Sequence, residues 1–352
     1  MAPATSHHLY PPFSEDVKTA PLVSISLAKL EANDAAESRA FFQAAKDLGF
    51  FYLNTEGSAL GERLVSQAEQ VHSLQQRFWA LPNEEKEVYA REKIDAFFGY
   101  RHSGVGPEKE GGGRERNELY NLRKDDFVGI TEPLPYPEVI KKDWALLTDY
   151  TRSCRSAIDL LITHLEEHLM LPIGTLASLH RINERSGDHI RFIRTAVSPY
   201  SEAAARQVEH TDFGTLTVLF NWLGGLQIRL PETGEWVYVK PVPRSAVVNL
   251  GDALVKFTAG LLRSNVHRVV PPPPPQDGIV RHSLVYFSRP EDALILKRLR
   301  GGVIDAQPVL ETEEPEMTSK EWVYQRSVGN LKGVYTHNGG LELRPTMVEG
   351  HV

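Results

Sequence analysis

Between residues 189 and 290 the spacing of apolar residues changes from helical to alternating, and this constrains the fold more than any other feature. Short β-rich runs occupy 190–197, 215–220, 225–230, 236–240, 245–250, 265–270 and 281–288, separated by Gly, Pro, Asn and Asp punctuation such as Pro231-Glu-Thr-Gly234. Alternation places successive side chains on opposite faces, so each run buries one face and wets the other. Several such strands in succession predict an antiparallel sandwich or barrel. No stretch between them has the length of a crossover helix, which argues against a parallel nucleotide-binding sheet.

The preceding region, 20–185, reads as mainly helical. Residues 22–27 alternate as one half-buried strand. Residues 35–48 carry Phe41, Phe42, Ala45 and Leu48 at helical spacing, and Gly49 supplies the stop. A second strand is expected at 50–53 and a helix at 58–80, ending before Pro82, with Asn83 capping the next helix. Residues 138–171 form the longest helical pattern, ended by Pro172. Its stripe of Leu147, Thr151, Cys154, Ile158, Leu161 and Leu165 makes Cys154 an inert core thiol. One more helix is expected from about 318, within a C-terminal helix and tail of 318–352, and the whole of 1–352 reads as a single catalytic unit. His7 and His8 fall in a terminal arm that reads as a disordered tail. The prolines at 271–275 make a stiff connector. Residues 99–117 alternate glycine with charge and read as a loop, either a surface connection or a flap over a site.

Charge and composition exclude several functions. With 39 Lys+Arg against 46 Asp+Glu the formal net charge is −7, and no basic stripe offers a nucleic-acid groove. No apolar run approaches the ~20 residues that cross a bilayer, and residues 1–12 lack the basic-then-apolar pattern of a secretory leader. Cys154 is the single cysteine, so neither an intramolecular disulfide nor a thiolate cluster can form, and a reducing, cytoplasmic setting is expected. Any metal must be held by nitrogen and oxygen.

His210-Thr-Asp212 offers an imidazole and a carboxylate two residues apart, on one face if the segment is a strand. His267, in the strand-like run Ser264-Asn-Val-His-Arg-Val-Val270, could add a second imidazole. Two histidines and one carboxylate on one side of a metal leave its other side open, the arrangement of non-heme Fe(II) oxygenases. A bare His-x-Asp pair is common, and with 13 histidines a third is always available somewhere. The rival motif is His164-Leu-Glu-Glu-His168, which fits a helical zinc-hydrolase pattern but also continues an apolar stripe. A third alternative is a non-catalytic barrel that only binds partners.

The order of segments discriminates further. His210-Thr-Asp212 is followed by Gly214-Thr-Leu-Thr-Val-Leu-Phe220, Gly224-Gly-Leu-Gln-Ile228, Glu235-Trp-Val-Tyr-Val239, Val247-Val-Asn-Leu-Gly-Asp252, His267-Arg-Val-Val270 and Arg281-His-Ser-Leu-Val-Tyr-Phe287. Upstream stand Pro21-Leu-Val-Ser-Ile-Ser-Leu27, Gly49-Phe-Phe-Tyr52 and Phe78-Trp-Ala-Leu-Pro82. This succession resembles the isopenicillin N synthase-like family of 2-oxoglutarate- and Fe(II)-dependent dioxygenases. The resemblance implies an α+β fold: a double-stranded β-helix (jelly-roll) core over 189–290, flanked by N-terminal and C-terminal helices. It implies Fe(II) on His210, Asp212 and His267, with Arg281 and Ser283 gripping the distal carboxylate of 2-oxoglutarate, and O2 as the oxidant. At i and i+2 those two share a face, and His282 between them points away.

The reaction implied is hydroxylation, desaturation or ring rearrangement of a small organic substrate, in secondary metabolism. An oxidase of the same family that consumes no 2-oxoglutarate is the alternative. Tyr120, Asn121, Phe287 and Arg289 are the candidate substrate contacts, and Phe213 is a further wall candidate whose parity points it away from the metal. The family's Arg-x-Asn-Tyr-Tyr-Pro segment is altered here to Arg191-Phe-Ile-Arg-Thr-Ala-Val-Ser-Pro-Tyr200, so Ser198 stands where its cosubstrate-contacting tyrosine would align.

Overall fold

The alternating runs pair as strands. The computed structural model describes residues 5–95, 97–103, 117–197, 209–308 and 316–331. The strands are β1 (Ser24–Ser26), β2 (Phe50–Asn54), β3 (Gly99–Arg101), β4 (Asn117–Arg123), β5 (His189–Thr195), β6 (Leu216–Asn221), β7 (Leu226–Arg229), β8 (Trp236–Tyr238), β9 (Ser245–Leu250), β10 (His267–Val269) and β11 (Arg281–Ser288). Among the described residues they form an eight-stranded sheet, β1-β2-β9-β6-β11-β5-β4-β3, and a three-stranded sheet, β10-β7-β8. Pairing is antiparallel except between β1 and β2. The helices are α1 (Leu27–Glu31), α2 (Ala35–Asp47), α3 (Ala59–Trp79), α4 (Asn83–Glu87), α5 (Arg91–Ile94), α6 (Lys124–Phe127), α7 (Glu138–Lys141), α8 (Trp144–His168), α9 (Asp252–Phe257) and α10 (Ser319–Leu331).

Each face of the large sheet has its own apolar layer. On one side, Phe51, Val248, Val218, Phe220, Leu284, Phe192 and Tyr120 pack with the buried stripes of α3 and α8. On the other, Phe50, Tyr52, Val247, Leu219 and Val285 meet Leu226, Ile228 and Val237 of the small sheet. Two sheets facing each other across this layer make the expected jelly roll, with the helices outside it. Direct cross-strand partners share a face, so register names the lining of the interior. One row runs Asn249, Thr217, Phe287, His189, Arg123, and the next Val247, Leu219, Val285, Arg191, Asn121. Ser283 with Ile193, then Arg281 with Thr195, continue this face toward the other end.

Local chemistry sets the helix boundaries. Asp34 caps α2, its Oδ1 accepting from the Ala36 and Glu37 amides at 2.9 Å. Gly49 ends that helix at φ +64°, the left-handed conformation that favours glycine. Ser58 caps α3 through the Gly61 amide.

Several sequence expectations are corrected. Pro82, not Asn83, stands at the cap of α4, and Asn83 is its first helical residue. The 138–171 pattern is two helices, because Asp143 leaves helical backbone (φ −107°, ψ 25°) between α7 and α8. The loop expected at 99–117 begins and ends in strands β3 and β4; its centre, 104–116, lies outside the described residues. The large sheet is not confined to 189–290, since β1, β2, β3 and β4 complete both of its edges. The His7–His8 arm is not a loose tail: Ser6–Leu9 form a 3-10 turn, Tyr10 Oη meets His72 Nε2 at 3.2 Å, and Gln276 Nε2 donates to the Pro11 carbonyl at 2.7 Å.

A Cβ on Gly49 would lie 2.1 Å from the Arg263 carbonyl oxygen, in addition to the unfavourable φ. Gly49→Ala is therefore expected to destabilise the protein by roughly 2–5 kcal/mol, combining left-handed strain with overpacking. A shift of the urea midpoint to lower concentration, with an unchanged slope, checks it.

Candidate metal centre and cosubstrate clamp

His210 and His267 are joined by two reciprocal backbone hydrogen bonds, His210 N–H to His267 O at 3.0 Å and His267 N–H to His210 O at 2.9 Å. The pair is an isolated antiparallel bridge. His210 and Asp212 are thus not in a regular strand; they lie on the extended entry to β6, and His267 is the first residue of β10. The rings of His210 and His267 sit 4.3 Å apart, and His267 Nε2 is 3.8 Å from Asp212 Oδ1. Ligand atoms of all three residues fall within 4.8 Å of one another, a spacing found for no other His, Cys, Asp and Glu group among the described residues.

Neighbouring groups orient these ligands. His267 Nδ1 lies 3.2 Å from the Asn265 carbonyl. A carbonyl can only accept, so Nδ1 carries the proton and Nε2 keeps its lone pair for a metal. Asp212 Oδ2 accepts from Thr217 Oγ1 and Asn249 Nδ2, each at 2.7 Å, leaving Oδ1 toward the histidines. Burial pushes the Asp212 carboxyl up, but His267, His210 and these two hydrogen bonds outweigh it and hold the pKa below the usual carboxylate value. An anionic oxygen and imidazole nitrogens suit a divalent ion of borderline character.

Arg281 and Ser283 share the interior face. Arg281 is 1% exposed; its Nε donates to the Gly224 carbonyl at 2.7 Å and its Nη1 to Ser283 Oγ. No carboxylate among the described residues forms an ion pair with it. Burial pushes its pKa down to about 10. A buried, hydrogen-bonded cation without an anion fits the free carboxylate of a bound dicarboxylic acid. His282 points to the opposite face, edge-on to His72.

The other expected contacts divide. Phe287, Asn121 and Arg289 line or adjoin the interior: His189 stacks on Phe287 at 4.6 Å, Asn121 Oδ1 accepts from Arg191 Nε at 2.7 Å, and Arg289 lies over the Phe97 ring at 4.5 Å. Tyr120 is not brought to the site. Its even position turns it to the helical side, stacked on Phe78 at 4.3 Å. Phe213 likewise faces Arg326 of α10. Ser198 and Tyr200 lie outside the described residues.

His164 and His168 hold a hydroxyl instead of an ion. His164 Nδ1 and His168 Nε2 are each 2.9 Å from Ser38 Oγ, and His164 Nε2 meets the Leu30 carbonyl. Cys154 is fully buried, which pushes its thiol well above the ordinary value. Sequence reasoning missed Thr217, Asn249, His189, Arg191 and Phe97. Parity counted from His210 and Asp212 turns Thr217 away, because bends at 213–215 interrupt the run before β6; all five need the register.

Residues 178–290 match the 2OG-Fe(II) oxygenase superfamily, and residues 20–139 match the N-terminal family described as non-haem dioxygenase in morphine synthesis. A 2-oxoglutarate-dependent dioxygenase of Aspergillus fumigatus is 31% identical over 345 residues, covering 89% of this chain and 87% of that protein. A putative 2OG-Fe(II) oxygenase family protein from Caulobacter crescentus superposes with a TM-score of 0.73 at 24% identity, over 88% of this chain and 99% of that one. Neurospora crassa T7H, solved with alpha-KG and thymine, superposes with a TM-score of 0.71 at 21% identity, over 92% and 99%. With a relative 31% identical over 89% of its length and a family model matching residues 178–290, the chain belongs to the 2OG-Fe(II) oxygenase superfamily, whose members use Fe(II), 2-oxoglutarate and O2.

Proposed function

We propose that His210, Asp212 and His267 hold the Fe(II), that Arg281 and Ser283 hold the far carboxylate of 2-oxoglutarate, and that the enzyme oxidises a small organic substrate of secondary metabolism. The carrying observation is that a metal-competent triad and a buried arginine without a counter-ion among the described residues open onto one interior face. Iron with 2-oxoglutarate and O2 supplies the oxidation, the cosubstrate leaving as succinate and CO2. The chain's own part is placement. Thr217 and Asn249 fix the carboxylate oxygen that does not face the metal, Asn265 fixes the His267 tautomer, and Gly224 and Ser283 aim the guanidinium. Leu219, Val247 and Val285 line the space between with apolar surface, and excluding water there would strengthen each charged contact. Similarity to the N-terminal family described from morphine synthesis supports a metabolite as substrate. Among the described residues no helix is long and apolar enough to cross a membrane.

O2 uptake by the iron-loaded protein, measured with and without 2-oxoglutarate, tests the assignment. Uptake that requires 2-oxoglutarate and releases succinate is expected; uptake without it would favour the oxidase alternative. Asp212→Ala removes the only anionic ligand and should abolish both iron retention, read by metal analysis, and turnover. Asp212→Glu should retain part of both, its longer arm ligating in poorer geometry.

Arg281→Ala should raise the 2-oxoglutarate concentration needed for half-saturation by a factor equivalent to roughly 2–5 kcal/mol, the cost of truncating one side of a buried charged pair. Arg281→Lys should recover only part, since a point charge does not reproduce the fork. Titration of succinate formation against cosubstrate decides this, and an unchanged dependence would remove Arg281 from the clamp.

A further inference from the structure

A second buried arginine lies beside the metal ligands. Arg289 is 6% exposed. Its side chain occupies space left by two glycines: a Cβ on Gly187 would come 2.8 Å from its Cδ and 2.9 Å from its Nη1, and one on Gly214 would come 3.2 Å from its Cγ. Gly214 is two residues after Asp212, so Arg289 is held at the metal end of the interior. Three carboxylates stand near enough to favour its charge, those of Asp188, Asp212 and Asp292, yet burial prevails and pushes its pKa down to about 10.

None of the three closes an ion pair with it. Asp188 spends one oxygen on the Arg289 backbone amide, at 2.6 Å, and the other on Tyr286 Oη, at 3.0 Å. Asp212 is turned to Thr217, Asn249 and His267. The guanidinium rests on the Phe97 ring with Nε enclosed and, among the described residues, without a hydrogen-bond partner. Leaving a buried arginine so poorly answered is costly unless an anion arrives.

The surroundings describe what that anion is attached to. His189 stacks on Phe287 and meets Phe97 edge-on at 5.0 Å, and Phe98 packs against Phe97 at 5.2 Å. Arg191, held by Asn121, covers Phe287 at 4.7 Å. His189 Nδ1 donates to the Gly187 carbonyl at 2.9 Å, and burial, then Arg289 and Arg191, hold its pKa well below the ordinary value. The ring is therefore neutral and adds flat apolar surface. Two arginines and four flat rings at one end of the interior match a small molecule with a single negative charge and a flat body.

We propose that Arg289, with Arg191 beside it, anchors a carboxylate of the substrate, and that the substrates are small carboxylic acids with an aromatic or otherwise flat apolar body stacked among Phe97, His189 and Phe287. This rests on the reading that His210, Asp212 and His267 hold the iron. A planar carboxylate suits a guanidinium fork laid on an aromatic ring. Anchored there, the body of the acid lies between Phe287 and the metal ligands.

Calorimetry under anaerobic conditions tests the inference, with the protein loaded with Fe(II) and saturating 2-oxoglutarate. Phenylacetate, 3-phenylpropionate and 4-phenylbutyrate are titrated against their uncharged amides. The visible charge-transfer band of the ferrous 2-oxoglutarate complex is followed in parallel. At least one acid should bind tighter than its amide by roughly 10–100-fold, the effect of a desolvated charge pair. The band should persist. Arg289→Gln should bring the acid-to-amide ratio close to one, and Arg289→Lys should keep part of it. Equal affinity of acids and amides in the unaltered protein, or no binding of any probe while the band forms, overturns the inference. Loss of the band as an acid binds does so too, since it places the acid on Arg281 instead. Failure of the band to form at all sinks the iron and cosubstrate reading, and this inference with it.

Discussion

Two hydrogen bonds between the His210 and His267 backbones set the geometry on which the site depends. His267 opens β10 in the small sheet, and His210 leads into β6 in the large one. The bridge is therefore where the two sheets are tied, and the same contact places two imidazoles side by side. Backbone pairing fixes the separation of the two main chains to within the tolerance of a hydrogen bond, and the Asn265 carbonyl then orients the His267 ring. Asp212 follows two residues later and is turned inward by donors from β6 and β9. The contact that ties the two sheets therefore also brings the proposed metal ligands together.

Both ends of the interior contain an arginine whose charge is poorly answered. Arg281 and Arg289 each have a pKa near 10 because burial disfavours the cation. For each, that is roughly 3 kcal/mol against the charged form. A protein selected for stability alone would place carboxylates beside them or replace them with apolar side chains. The cost is offset elsewhere by the two large apolar layers, and an anion bound at either arginine would recover it. Burial without an ion pair among the described residues is what the proposed binding role rests on, and it separates these two arginines from Arg155, which is equally buried but pairs with Asp159.

Much of this was legible in the sequence because strand parity is strict. Arg281 and Ser283 on one face, His282 on the other, and Phe287 on the face of the clamp all follow from counting by two. Parity also turns Tyr120 away, and the error there came from treating the stretch before it as loop when Asn117–Arg123 is a strand. The break at Asp143 was hidden because apolar spacing survives a short non-helical step. His189 and Arg191 were hidden for a different reason. Each is an ordinary strand residue until register sets it opposite Phe287 or Val285, and register across strands distant in sequence is not written in either strand alone.

The C-terminal helix bears on the proposed metal segment through one carboxylate. Asp252 begins α9. Its amide donates to the Asp212 carbonyl at 2.8 Å, and its Oδ2 accepts from Thr211 Oγ1 at 2.9 Å. That same oxygen meets Arg326 of α10, whose guanidinium also lies over Trp322 at 4.3 Å. The residue between the two metal ligands is thus held by a group that α10 neutralises. Without Arg326, Asp252 would be a buried anion deprived of its charged partner, beside the backbone that carries Asp212. α10 thereby lets a second carboxylate sit behind the proposed metal segment and fix its backbone, while its own charge is taken up by Arg326.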